Sequence, residues 1–255
     1  MNLTPSQIER LTTEGLVAFL SQAAKFEAHL APSCSLVLSG EPVADLNYLL
    51  AGRKATVEGF VAGAKSCLER KLPFLAMLFP GAAETLAGSA SELGLQLAVE
   101  FPFMVAVGAP PAVDLGDVVV RRAAGEAGAL ASGRALQRAF GIPIKSVLRA
   151  VPTDCLDSPS LEVWIAELKG TCVGTVTITH HGDAAGVWAM GVDPETQRKG
   201  IGRRLLTTAM REAAKRGTQR FFLGATPAGK PLYDRLGFAT QLVTQVWASG
   251  ESTQT

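Results

Sequence analysis

Two periodicities alternate along this chain. Segments in which apolar residues return every three or four positions are interleaved with short runs that are apolar at every second position or throughout, the signature of helices interspersed with strands. The first half reads as a helix over 4–26, strands over 35–40 and 45–52, a helix over 55–71, a strand over 72–79, a helix over 82–94 and a strand over 95–107. The second half reads as a strand over 117–123, helical patterns over 128–140 and 143–151, and three strands in succession over 161–168, 171–181 and 186–192. His181-Gly182-Asp183 supplies the turn between the last two. After Asp193 and Pro194 a helix presents Ile201, Leu205, Ala209 and Ala213 on one face and stops at Gly217. A strand over 221–226, a short helix over 231–237 and a final strand over 238–248 complete the pattern. The expected class is α/β, a mixed twisted sheet with flanking helices.

Periodicity lapses over GAPPAVDLGD (108–117), where Pro110-Pro111 stiffens a connector, and this predicts two domains, 1–112 and 113–255. Charge divides at the same place: 7 Lys and Arg stand against 10 Asp and Glu before residue 113, and 17 against 13 after it. The second half is therefore the expected host of an anionic ligand. An excess this small, with no basic stripe interleaved with aromatics, does not predict nucleic-acid binding. The apolar runs LPFLAMLF (72–79) and FPFMVAV (101–107) carry prolines and are far shorter than the ~18 residues of a membrane span. MNLTPSQIER has no basic region followed by an apolar core, so no signal peptide is expected. Cys34, Cys67, Cys155 and Cys172 have neither metal-site nor disulfide spacing, which predicts small apolar residues in a reducing cytoplasm and no metal.

Two glycine-bearing turns carry the candidate chemistry. GATPAGKP (224–231) has the outline of a phosphate-binding P-loop, but Pro231 stands where the magnesium-binding hydroxyl belongs and also lacks an N–H. QRKGIG (197–202) lies between a strand and a helix N-terminus. Gly200 and Gly202 clear side chains from the backbone, and the first-turn N–H groups with the helix dipole form a ready anion site. A plain strand-to-helix turn would have the same glycines.

Taken in order, V-D-P-E-T-Q-R-K-G-I-G and then A-T-P-A-G-K-P-L-Y-D-R-L-G-F resemble the coenzyme A binding region of the GNAT acetyltransferase superfamily, over about residues 160–248. The resemblance implies that strands 186–192 and 221–226 splay into a slot for pantetheine. It implies that Gln197, Arg198, Lys199, Gly200, Ile201, Gly202 and Arg203 grip the pyrophosphate through backbone amides, and that Met190, Gly191 and Val192 pair with pantetheine as an open strand edge does. Thr226 falls where many members have an asparagine that reaches pantetheine. The cosubstrate would be acetyl-CoA, the acceptor a primary amine, and Tyr233 the proton donor to the leaving thiolate, with a backbone N–H near Val192 facing the oxyanion. The alternative reading of Tyr233 is core packing with its hydroxyl at the rim. For the general base, His180, His181 and an ordered water all stay open, and no residue is assigned.

The first half repeats the element order of the second. Arg53-Lys54 precedes Arg198-Lys199 by 145 residues, and Leu93-Gly94-Leu95 precedes Leu236-Gly237-Phe238 by 143. This resembles tandem GNAT proteins with one worn copy. In that register Gly200, Gly202 and Tyr233 correspond to Ala55, Val57 and Ala90. Two functions remain: an N-acetyltransferase, or a non-catalytic acyl-CoA-binding protein that kept the groove.

Overall fold

The computed structural model describes residues 2–32 and 34–250. In chain order the helices and strands are α1 (Pro5–Leu20), β1 (Glu27–His29), β2 (Ser35–Leu38), β3 (Asn47–Ala51), α2 (Val57–Glu69), β4 (Leu75–Leu78), α3 (Ala82–Glu92), β5 (Leu95–Val107), β6 (Val118–Arg122), α4 (Gly125–Phe140), α5 (Ile144–Ala150), β7 (Leu161–Leu168), β8 (Thr171–His181), β9 (Ala184–Val192), α6 (Ile201–Lys215), β10 (Arg220–Gly224), α7 (Lys230–Arg235) and β11 (Ala239–Ser249). The fold is mixed α/β, as the two periodicities predict. The one strand without a sequence signal is β1, whose three residues are all exposed and so carry no apolar alternation.

The chain forms two compact units that are discontinuous in sequence. Among the described residues, one takes Met104–Ala239 with residues 2–3, and the other takes Thr4–Phe103 with residues 240–250. The connector 108–117 thus lies inside the larger unit. The smaller unit regains a piece of the distant C-terminus because β11 pairs antiparallel with β4, Val246 opposite Met77 and Trp247 opposite Ala76.

In the larger unit the strands run β10-β9-β8-β7-β6. All neighbours are antiparallel except β9 and β10, which are parallel and joined through α6. Helix α6 buries Ile201, Leu205, Leu206, Ala209, Met210 and Ala213 against Val176, Ile178, Val187 and Phe221. At ~1.5–3 kcal/mol for each large apolar side chain removed from water, this seam fixes where the helix begins as well as where it lies. The smaller unit runs β1-β2-β3-β4-β11-β5, again with an antiparallel pair (β2, β3), a helix (α2) and a parallel strand (β4) in succession. Its core gathers Leu38, Leu49, Phe60, Phe74, Leu78 and Leu86.

Candidate active site

The larger unit contains an open slot. Strands β9 and β10 pair only over Arg220↔Ala184, Phe221↔Ala185 and Phe222↔Gly186. Beyond Gly186, β9 continues for six residues to Val192, leaving the main-chain donors and acceptors on that edge without a β10 partner. An edge of this kind takes up an extended ligand by backbone pairing. Opposite the slot, β9 also breaks step with β8. Thr175 faces Gly191 and Thr177 faces Trp188, so Ala189 and Met190 together oppose a single residue, and Ala189 sits at φ +47°. This is a β-bulge, which re-aims the strand where it occurs. Trp188, Ala189, Met190 and Val192 are partly exposed, while the rest of the strand is buried.

The strand leads into a braced turn. Asp193 accepts from the Glu195 N–H, and Arg138 on α4 reaches it at 2.5 Å while donating a second bond to the Cys172 carbonyl at 2.6 Å. Gln197 donates from Nε2 to the Val192 carbonyl at 3.1 Å, so its side chain pins the turn to the end of β9. Arg198 and Gly200 both take positive φ, +63° and +80°. Gly200 caps α6 with no side-chain hydrogen bond, and no acidic residue stands in the first turn. The N–H groups of Ile201, Gly202 and Arg203 have no acceptor within the helix. Arg198, Lys199 and Arg203 are exposed around them. The turn therefore combines unsatisfied donors, the positive end of the helix dipole and three cations, a setting that favours a phosphate.

Two glycines have packing reasons that the sequence did not reveal. A Cβ on Gly191 would lie 2.6 Å from Ala139 Cβ and 2.8 Å from the Phe140 ring, so the glycine admits the C-terminal end of α4 against β9. A Cβ on Gly202 would lie 3.3 Å from the Met190 methyl and 3.4 Å from side chains of both Leu232 and Val192. Gly202 thus sits where β9, α6 and α7 meet.

On the other side of the slot, Thr226 anchors the turn into α7. Its carbonyl accepts from Gly229 and Lys230, and its hydroxyl accepts from the Gly229 N–H at 3.2 Å. Lys230 pairs with Asp234 at 2.9 Å and points to no phosphate cradle. Tyr233 is 8% exposed, with its ring edge-on to Phe238. A Cβ on Gly229 would lie 2.9 Å from the Tyr233 ring, so that glycine gives the ring its place. Burial pushes the phenol up to about 12.

The two histidines part company. They alternate across β8, so His180 joins the α6 side, where its Nε2 lies 3.7 Å from buried Glu162 and 3.1 Å from Arg216. His181 lies on the opposite face, 3.0 Å from Thr179 Oγ1 and beside the Phe222 ring. Glu162 also receives the Trp164 indole N–H and ion-pairs with Arg122 and Arg216. Burial works against its ionisation, yet the hydrogen bonds from His180 and Arg216 and the charge of Arg216 hold its carboxyl down at about 2.

Residues 159–240 match the family model for an acetyltransferase (GNAT) domain. The chain carries a GNAT acetyltransferase domain. The matched segment holds β9, the glycine turn, α6, β10 and Tyr233, so the acyltransferase assignment rests on the same residues that form the slot. Among solved structures, the chain is similar to a GCN5-related N-acetyltransferase from Kribbella flavida, with 16% identity over 99% of this chain and 97% of that one at a TM-score of 0.73. It is also similar to a GCN5-related N-acetyltransferase from Sphaerobacter thermophilus, with 15% identity over 88% and 80% at a TM-score of 0.64. A tandem GNAT protein from the clavulanic acid biosynthesis pathway aligns at 14% identity over 98% of both chains, at a TM-score of 0.57. At these identities the likeness is one of fold. No curated protein matches the sequence. Among the described residues no cluster of His, Cys, Asp and Glu is gathered to hold a metal, and no helix is long and apolar enough to cross a membrane.

Among the described residues, the slot has no open counterpart between β3 and β4 of the smaller unit. There β3 and β4 stay paired to their last residues, Ala51↔Leu78, and the Phe79 N–H continues the ladder to the Ala51 carbonyl. The N-terminus of α2 is capped by the Thr56 hydroxyl, which takes the Gly59 N–H at 3.1 Å, and Glu58 stands in its first turn. The Glu9 carboxylate accepts from the Arg53 N–H at 3.3 Å. This unit's own acidic and hydroxyl oxygens lie where the larger unit offers bare donors.

Proposed function

We propose that the GNAT domain transfers an acetyl group from acetyl-CoA to the primary amine of a small molecule or protein acceptor by direct attack. The observation that carries this reading is the early end of β9–β10 pairing at Gly186↔Phe222, directly before an uncapped, cation-ringed helix N-terminus. In this reading the α6 amides hold the pyrophosphate, with Gln197 and Asp193 keeping their turn rigid, and the free edge of Met190–Val192 pairs with pantetheine. The acceptor nitrogen attacks the thioester carbon, the C–S bond breaks, and the sulfur departs as thiolate. The amine proton passes to water.

Tyr233 serves the sulfur as a hydrogen-bond donor. A phenol at about 12 is fully protonated at neutral pH. Handing its proton outright to a thiolate of pKa ~8.5 would be uphill, so the donated hydrogen bond disperses charge on sulfur during departure and solvent completes protonation.

The smaller unit, in the same reading, is a worn copy of the fold that binds no CoA. Calorimetric titration with acetyl-CoA, followed by assay of free CoA thiol over a panel of amines, tests both halves of the proposal. One equivalent bound and thiol released with at least one amine class is the expected result. Binding without turnover on any amine would favour the non-catalytic alternative, and two equivalents bound would remove the worn-copy reading.

A further inference from the structure

The closed end of the slot is built around one indole. Trp188 stands two residues beyond Gly186, where β9 and β10 part, and its Nε1 donates to Thr179 Oγ1 at 2.7 Å. Thr179 is 0% exposed, so that anchor does not move with solvent. The indole meets Phe222 edge-on, with centroids 5.9 Å apart and planes at 86°. It also covers Gly186, where an added Cβ would lie 2.5 Å from the indole nitrogen and 2.9 Å from the Phe222 ring. The glycine therefore makes room for the tryptophan. Three constraints hold a large, rigid side chain beside the vertex, and the residue stays partly exposed.

We propose that Trp188 is the residue that sets acyl-chain length, closing the vertex so that the slot takes a short acyl group and excludes longer ones. The proposal rests on the CoA reading above. With the phosphates at the α6 turn and pantetheine along β9, the thioester comes to the vertex end of the free edge. Val192 to Trp188 covers ~13 Å at about 3.3 Å per residue, the direction in which an acyl chain would lengthen. There it meets a wall rather than an opening. A well-packed apolar pocket discriminates by roughly 10–200-fold for each methylene it cannot accommodate.

The test compares acetyl-CoA with hexanoyl-CoA by calorimetry, which needs no acceptor amine. The parent is expected to bind hexanoyl-CoA at least ~10-fold more weakly than acetyl-CoA. Trp188→Ala should close most of that gap, Trp188→Phe part of it, and Thr179→Val, which frees the indole without changing its size, should also narrow it. A parent that binds both esters equally, or a gap left undiminished in a folded Trp188→Ala or Trp188→Phe variant, overturns the proposal while leaving the CoA reading intact. A parent that binds neither ester nor free CoA overturns both.

Discussion

Tyr233 shows how burial tunes one side chain. Its ring is packed against Phe238 and the Gly229 turn, and the same burial that raises the phenol keeps it protonated throughout the neutral range. Tyr233→Phe preserves the packing and removes only the donor. Acetyl-CoA affinity should change little, while kcat falls by ~10²-fold or more. Equal turnover in both proteins would return Tyr233 to a purely structural role. Glu162 titrates in the opposite sense. Its folded carboxyl lies at about 2 against an ordinary value of 4.5, so its stabilising contribution is complete above the ordinary value and is lost as pH falls toward the folded one. Urea titrations of the parent should show stability declining across that acid window, with a shallower decline in Glu162→Gln. At neutral pH the variant should be less stable by about 1–2 kcal/mol, because the buried carboxylate's charged hydrogen bonds are weakened while Arg122 and Arg216 stay partly solvated.

Among the elements, the α6 N-terminus decides between a site and a plain turn. Gly202 lies against Met190, Val192 and Leu232, so Gly202→Val would press on all three as well as on a ligand. CoA binding should be lost to calorimetry, with a drop in Tm from crowding at the meeting point of β9, α6 and α7. Retained affinity would place the phosphates elsewhere. The sequence disclosed the secondary structure of this element well: the apolar face of α6 and the strand before it are where the pattern puts them, because each follows from a local period. What it concealed was non-local. The bulge at Ala189 exists only through register with β8. The partner of Trp188 lies nine positions away on the next strand. The different surroundings of His180 and His181 follow from which sheet face each one meets. Exposed β1 left no trace because nothing apolar marks it.

For the molecule as a whole, the element order was legible and the division into units was not. Strand β11 reads in the sequence as the end of the second half, yet it completes the β1–β4 sheet, where the Ser249 N–H bonds the Phe74 carbonyl at 3.2 Å and the Ser249 hydroxyl accepts from the Phe74 N–H at 2.9 Å. No pattern within one strand specifies which strand it will pair with. A fragment beginning near Ala112 would carry β11 without β4, and should aggregate or lose activity through that unsatisfied strand. A monomeric, fully active fragment would show that β11 has another way to satisfy its edge.

The late arrival of β11 also bears on synthesis. Strand β4 takes its antiparallel partner from a segment made more than 160 residues later, so during translation it leaves the ribosome with an open edge. Pairing across such a span is slow because loop-closure entropy must be met before the contacts form. Well over a hundred further residues must be made before β4 gains that partner. In the interval, the nascent chain presents the kind of exposed strand that chaperones hold and that neighbouring chains capture.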